Sequence, residues 1–271
     1  MNEILELLSY PFVIRAIVAG SLISICASVL GVILVLKHYS LIGHGLSEIG
    51  FASLSIASAL KVPAMMVSTP SVIVASFVIM FVSQRYKTAG DIAIAIASSA
   101  ALALGIVISS LTGSSSNTGA YLFGSVLAVS EGDLIFAIIL SLIVMSAFVV
   151  FYNRLFLMTY NEDYAHSLGI NTTLYQLMIS VLTALVVVSG MRITGTLLIS
   201  GVIILPAVAA KSLASRFKTL VIISGVVSFA AFIAGLAVSF AFNIPAGAGV
   251  ILSNAAILIS AKFLAMMIKR K

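Results

Sequence analysis

Nine long apolar stretches, separated by short polar segments, dominate the pattern of hydrophobic and polar positions along this chain. Each is long enough, or nearly long enough, to cross about 30 Å of hydrocarbon as an α-helix. The pattern predicts an all-α, polytopic transmembrane helical bundle of nine spans, or eight if the seventh stretch, which contains glycine, is only partly inserted. The nine stretches are 12–36, 42–60, 62–82, 92–111, 134–151, 174–190, 193–210, 220–242 and 246–268.

Composition also indicates a membrane location. Hydrophobic residues make up 62% of the 271 residues and charged residues only 8%, and the mean hydropathy is +1.27. A soluble domain carries roughly 25% charged residues, so this chain cannot cover itself with a water-facing surface. We expect a multi-pass protein of the cell membrane in which residues 1–271 form a single transmembrane domain. Cys26 is the only cysteine, which excludes a disulfide within the chain and a cysteine-based metal site.

The distribution of basic residues predicts the orientation. With nine alternating spans, eleven of the fourteen lysines and arginines fall on one side and only Arg15, Lys61 and Arg192 fall on the other. Because basic residues concentrate on the cytoplasmic side, the N-terminus is expected outside and the C-terminus in the cytoplasm. The net charge of +6 is therefore explained by topology and by contact with anionic membrane lipid, and it does not indicate a nucleic-acid partner.

His44 and Glu48 lie four residues apart near the start of the second apolar stretch. On a helix this spacing places both side chains on one face, with Cβ atoms roughly 5–6 Å apart. An ionisable residue within a span is expensive and marks a functional site by default. One nitrogen and one oxygen ligand suit a divalent first-row metal or a proton. The alternative is a hydrogen bond between helices that only stabilises the bundle.

The segment 154–173 is the extended polar loop predicted on the cytoplasmic side. Glu162 and Asp163 can begin a short helix at its positive end, and Gly169 can end it. Such a helix either offers a surface that a cytoplasmic protein can bind or is only a solvated connector. On the other side, residues 121–129 are too short to span and predict an interfacial or re-entrant helix.

Five motifs in order resemble the permeases of metal-importing ATP-binding-cassette transporters, the ABC-3 family. Asp163, Ala165 and Gly169 match the Glu/Asp-x-Ala-x-x-x-Gly pattern of the loop that couples importer permeases to their ATPase. The other four are VLKHYSLIG at 35–43, YLFGSVLAV at 121–129, GTLLISGVIILPA at 195–207 and IPAGA at 244–248. In the family, the glycine equivalent to Gly43 is followed by Asp, three residues and His, which line the metal path. Here the two positions hold His44 and Glu48, so the ligand types are kept in reversed order.

The resemblance implies a homodimeric permease domain that imports zinc, manganese or iron, with His44 and Glu48 as metal ligands. It also implies a cytoplasmic ATP-binding subunit that contacts Glu162, Asp163, Ala165 and Gly169, and an extracellular metal-binding protein. The chain has no Gly-x-x-x-x-Gly-Lys-Ser/Thr motif, so it is expected to be no enzyme and to bind no cofactor itself, with ATP on the partner subunit.

The sequence is also compatible with two other function classes. A proton-coupled secondary transporter would use His44 and Glu48 as a proton relay, whereas a membrane scaffold would need neither side chain for transport.

Arg192 is predicted at an outer end between two spans. It either extends its side chain to the membrane interface, contacts an acidic partner, or positions an outer gate.

Overall fold

The computed structural model describes residues 11–85, 90–112, 122–124 and 129–269, and these residues are helical with no β-strand. The predicted all-α fold is therefore confirmed. Eleven helices lie entirely within the described residues. They are α1 Pro11–Leu36, α2 Ser40–Ala59, α3 Ala64–Arg85, α4 Gly90–Leu111, α5 Glu131–Val150, α6 Tyr152–Tyr160, α7 Glu162–Ser167, α8 Thr172–Thr194, α9 Ile199–Leu213, α10 Phe217–Phe242 and α11 Ala246–Lys269.

Polar residues at the helix ends explain several of these boundaries. Ser130 begins α5 with a reciprocal capping box in which its hydroxyl accepts from the Asp133 amide and the Asp133 carboxylate accepts from the Ser130 amide. The side-chain oxygens of Asn161 and Asn171 cap α7 and α8 by accepting from the backbone amides of Tyr164 and Leu174. Asn243, in the left-handed conformation, ends α10.

Seven of the described helices are long and apolar enough to cross a membrane: α1, α3, α4, α5, α8, α10 and α11. Helix α2 has 20 residues but contains many serines and glycines together with His44 and Glu48. Helix α9 has only 15 residues. The chain is thus a multi-pass membrane protein, and a count of eight or nine spans stays a prediction.

The predicted seventh stretch, 193–210, is not one continuous helix. Helix α8 ends at Thr194, Gly195 has a φ of +89°, and α9 begins only at Ile199. Glycine tolerates this backbone conformation at little cost. Pro206, by contrast, does not interrupt α9, which continues through it to Leu213.

Helices α1 and α8 form the centre of the bundle and are buried over most of their length. One group, α2, α3 and α4, packs together and against α8, while the second group, α9, α10 and α11, packs together and against α1. Between the central helices and the second group, the hydroxyls of Ser224 and Ser228 on α10 donate to carbonyl oxygens of Ser28 and Ser24 on α1. Helix α2 therefore packs against its own group and against α8, with Glu48 and three of its serines buried.

Candidate metal site and coupling loop

His44 and Glu48 lie in the first half of α2, which is separated from the end of α1 by three residues. The turn between the two helices is compact: His38 has a φ of +61°, and the Tyr39 amide donates to the Leu34 carbonyl over 2.8 Å. This is the hydrogen bond of a Schellman helix end. Helix α2 follows directly from Ser40, so His44 lies about one turn inside it.

The structure brings the two predicted ligands together. The Nε2 atom of His44 lies 3.3 Å from Oε1 of Glu48. The His44 side chain is 41% exposed and the Glu48 side chain only 6%. The second carboxylate oxygen, Oε2 of Glu48, is buried and has no hydrogen-bond partner among the described residues. A buried carboxylate oxygen left without a donor is costly, and a cation between the two side chains would remove that cost.

Close packing fixes α2 on three sides of this pair. A Cβ added at Gly43 would lie 3.2 Å from Ile203 of α9, and one added at Gly45 would lie 2.8 Å from Ile94 of α4. At Gly50 the nearest atom is the sulfur of Met191 on α8, at 2.9 Å. The small residues of α2 thus let three helices approach the segment that carries the pair.

The donor set within one chain is incomplete for a closed metal site. Across the residues that the structure describes, no group of three or more His, Cys, Asp and Glu side chains converges on one point. One imidazole nitrogen and one carboxylate can still contribute two ligands to Mn²⁺, Fe²⁺ or Zn²⁺. Two ligands bind an ion more weakly than a full set of four. Weak binding suits a conduction site, because such a site must also release its ion.

The predicted coupling loop forms two short helices, α6 and α7. Ala165 is fully buried and Asp163 is exposed, while Gly169 ends the α7 segment with a φ of +76°. Glu162, the first residue of α7, makes long-range contacts. Its Oε2 lies 2.9 Å from Nζ of Lys37, and its Oε1 accepts from the side-chain amide of Gln176 over 2.7 Å. The coupling loop is therefore tied to the α1–α2 turn and to α8.

Lys37 and Gln176 were not predicted as functional residues. The Lys37 side chain is only 7% exposed, and its ammonium lies 5.9 Å from the centre of the Tyr39 ring. Burial lowers the pKa of Lys37, and the hydrogen bond and charge of Glu162 partly offset this effect. Burial, and then the Glu162 charge, raise the pKa of Tyr39. The only sequence signal for Lys37 was its position inside the motif at 35–43.

Arg192 lies near the opposite end of the bundle and forms an ion pair with Asp133 at the start of α5. At the same end, Arg15 of α1 forms an ion pair with Glu131. Arg192 therefore has an acidic partner within its own chain. Its role in a gate or in binding another protein stays a prediction.

Three of the motifs meet at this second end of the bundle. The Leu197 amide donates to the Leu122 carbonyl over 3.3 Å. A Cβ added at Gly247, in the first turn of α11, would lie 1.9 Å from the Thr194 carbonyl oxygen. The motifs at 121–129, 195–207 and 244–248 are thus in backbone contact, which only glycine at the contact point allows. The predicted short helix at 121–129 lies largely outside the described residues.

Comparisons with known proteins identify the class to which this multi-pass helical bundle belongs. The model of the ABC 3 transport family matches residues 9–266. The chain belongs to this family.

Individual relatives cover nearly the whole chain. The manganese import system permease protein ScaB of Streptococcus gordonii is 28% identical over 256 residues, which are 94% of this chain and 92% of the relative. The high-affinity zinc uptake system membrane protein ZnuB of Buchnera aphidicola is 26% identical over 238 residues, 87% and 91% of the two chains. The structure of PsaBC from Streptococcus pneumoniae in complex with Fab superposes with a TM-score of 0.85 at 26% identity, covering 95% of this chain and 93% of that one. The prediction of a permease subunit of a metal-importing ABC transporter is confirmed.

Proposed function

We propose that this permease conducts a divalent first-row metal ion past His44 and Glu48, and that ATP hydrolysis on a partner subunit drives the import. The observation that supports this most directly is the pair itself. An imidazole nitrogen lies 3.3 Å from a carboxylate that is almost fully buried and has one unpartnered oxygen. A charge in that position is expensive unless a cation or a proton uses it.

The donor types limit the transported ion to divalent metals that accept both nitrogen and oxygen ligands. Imidazole suits zinc, iron and related metals, whereas carboxylate suits manganese and magnesium, so a mixed pair accepts Mn²⁺, Fe²⁺ and Zn²⁺. The relatives named above for manganese and for zinc fall within this class. The reversed order of His44 and Glu48 keeps both donor types.

A second copy of the chain would complete the ligand shell. The His44 side chain is 41% exposed in the single chain, and a half-exposed imidazole on a membrane-embedded helix needs a polar surrounding rather than lipid. Two copies related by a two-fold axis would bring two nitrogen and two oxygen donors to one path. We therefore propose a homodimer, with each chain acting as a single permease domain.

The coupling loop supplies a surface for the ATP-binding subunit. Tyr160, Tyr164 and Leu168 on α6, α7 and the residues after them are each more than half exposed, which is typical of a surface that another protein covers. Because the sequence contains no phosphate-binding loop, we assign ATP binding to that partner. An extracellular metal-binding protein would deliver the ion at the opposite end.

We further propose nine crossings, with the N-terminus outside and the C-terminus in the cytoplasm. Helix α2 is about 30 Å long at 1.5 Å per residue, and its residues Ser47, Glu48, Ser53 and Ser55 are buried. The ion pairs support this alternation. Arg15 pairs with Glu131 and Arg192 pairs with Asp133 at one end of the bundle. Lys37 pairs with Glu162 at the other end. Eleven of fourteen basic residues then lie on the cytoplasmic side.

Uptake of radioactive manganese, iron and zinc into proteoliposomes that contain the permease and its ATPase tests the proposal. We expect His44→Ala and Glu48→Gln to abolish uptake. Ser47→Ala is a matched control on the same helix, because the Ser47 hydroxyl donates to the His44 backbone carbonyl, at 2.7 Å, and the substitution leaves the imidazole and the carboxylate in place. Competition among the unlabelled metals identifies the preferred ion.

Two outcomes would contradict the proposal in different ways. Normal uptake by both His44→Ala and Glu48→Gln would show that the pair does not line the path. Uptake that needs a proton gradient and no ATP would instead support the secondary transporter, with His44 and Glu48 as a proton relay.

A further inference from the structure

The carboxylate of Glu162 joins three elements that are far apart in the sequence. It contacts Lys37, between α1 and α2, at 2.9 Å and Gln176, in α8, at 2.7 Å. Glu162 is itself about half exposed, whereas the side chains of Lys37 and Gln176 are nearly buried. The first residue of the coupling helix α7 thus reaches into the bundle at the base of α2.

Lys37 is separated from the candidate metal ligands by a very short piece of chain. Its own amide donates to the Ile33 carbonyl over 2.9 Å, and the Tyr39 amide donates to the Leu34 carbonyl, so the turn is fixed to the end of α1. Helix α2 begins at Ser40, only about 6 Å along its axis from His44. Lys37 and His44 are therefore joined by one hydrogen-bonded turn and the first turn of α2.

The other side of the coupling loop is attached by different chemistry. The rings of Tyr152, Phe156 and Tyr160 on α6 surround Phe217 at the start of α10, with centroid distances of 5.6, 5.6 and 6.2 Å. This aromatic cluster does not depend on charge. Helix α7, in contrast, contacts the turn between α1 and α2 through the carboxylate of Glu162.

We infer that Glu162 is a positioning residue that transmits displacement of α7, through Lys37, to α2 and its His44–Glu48 pair. The inference rests on the proposed function, since it assigns the device that couples the ATPase-facing helix to the metal site. Leaving the nearly buried Lys37 ammonium without its counter-charge is costly. The ammonium therefore follows the carboxylate when α7 moves.

The test measures metal transported per ATP hydrolysed by the whole complex in proteoliposomes. We expect Lys37→Gln to keep ATP hydrolysis but to lower this ratio about tenfold, as for loss of a charge-assisted hydrogen bond in a partly buried site. Glu162→Gln should lower the ratio by a similar factor. Lys218→Gln is the matched control, because Lys218 is an exposed lysine at the start of α10, and it should keep the wild-type ratio. Lys37→Arg, which keeps the charge, should keep most of it.

A charge exchange tests the pairing, and thermal unfolding separates transmission from stability. The double variant Lys37→Glu with Glu162→Lys should regain transport relative to either single change, and the single variants should lose coupling while they keep the wild-type unfolding temperature. An unchanged ratio in Glu162→Gln, or a double variant that assembles and hydrolyses ATP without any recovery, would overturn the inference. Loss of both complex assembly and hydrolysis in Glu162→Gln would also overturn it, because that result assigns Glu162 to docking the ATPase.

The same assay distinguishes this inference from the function on which it rests. If the wild-type complex imports no metal, the proposed function fails. If the wild type imports metal and Glu162→Gln does so equally well, only the coupling role of Glu162 fails.

Discussion

Gly31 lies where α1 crosses α9, and replacing it with alanine should force the two helices apart. A Cβ at this position would lie 1.9 Å from the carbonyl oxygen of Ile203 and 2.9 Å from its carbonyl carbon. Because ordinary contacts begin near 3.4 Å, the two backbones would have to separate by about 1.5 Å. A helix backbone cannot rotate away as the end of a side chain can, so the clash is relieved only by moving a helix.

The size of the effect follows from two opposing contributions. Overpacking of a close-packed interior typically costs about 1–3 kcal/mol. Replacing a glycine within a helix by alanine stabilises the helix by roughly 0.5–1 kcal/mol. We therefore expect Gly31→Ala to lower the free energy of unfolding by about 1–2 kcal/mol. Metal uptake should fall as well, because Ile203 also packs against Gly43, the neighbour of His44.

Thermal unfolding of the purified permease in detergent measures this difference. Gly225→Ala in α10 is the matched control, since the nearest atom to its added Cβ is Ile25 Cγ2 at 3.8 Å, an ordinary contact. The control should unfold at or slightly above the wild-type temperature. If Gly31→Ala unfolds at the same temperature as Gly225→Ala, α9 yields without cost and the reasoning from close approach is wrong.

Three further substitutions test other parts of the structure by the same unfolding measurement. Asp133→Asn should lower the free energy of unfolding by about 1–3 kcal/mol, because the Arg192 guanidinium loses its counter-charge. In a double-mutant cycle, Arg192→Gln should lower the free energy of unfolding of the Asp133→Asn variant little further. Additive effects of the two substitutions would contradict the pairing. Gly195→Ala should destabilise far more than Gly169→Ala: both residues have positive φ, but only the Cβ at Gly195 meets a backbone oxygen, at 2.3 Å. Ser228→Ala should cost only about 0.6 kcal/mol, the average for hydrogen bonds between membrane helices; a loss of several kcal/mol would show that this bond has a larger role.

The hydrophobic pattern predicted the helices because each apolar stretch is a local property of the chain. The stretch 220–242 became Phe217–Phe242, and 12–36 became Pro11–Leu36. The sequence also predicted the short helix before α8. Glu162 and Asp163 begin α7, and Gly169 ends the segment. The exception is 193–210, where apolar composition concealed the positive φ of Gly195. Hydropathy does not report backbone conformation.

The contacts between distant segments could not be predicted, because a single sequence does not show which helices are neighbours. Lys37 and Glu162 are 125 residues apart, and Arg15 and Glu131 are 116 apart. Each of these charged residues was assigned to one side of the membrane from its local surroundings. Their pairing depends on the packing of α1 against α5 and of the α1–α2 turn against α7.

The reversed order of His44 and Glu48 is easier to understand from the geometry than from the sequence. An i, i+4 pair directs both side chains into one gap, so exchanging the imidazole and carboxylate keeps a nitrogen and an oxygen donor there. What changes is which donor lies deeper along α2. Here the carboxylate is the buried member, at 6% exposure, and the imidazole is the accessible one, at 41%. Helix α2 enters from the end of the bundle where Glu162 contacts Lys37, so the imidazole is the donor nearer to the coupling loop. We therefore expect a displacement of this end to reach the imidazole of His44 before the carboxylate of Glu48.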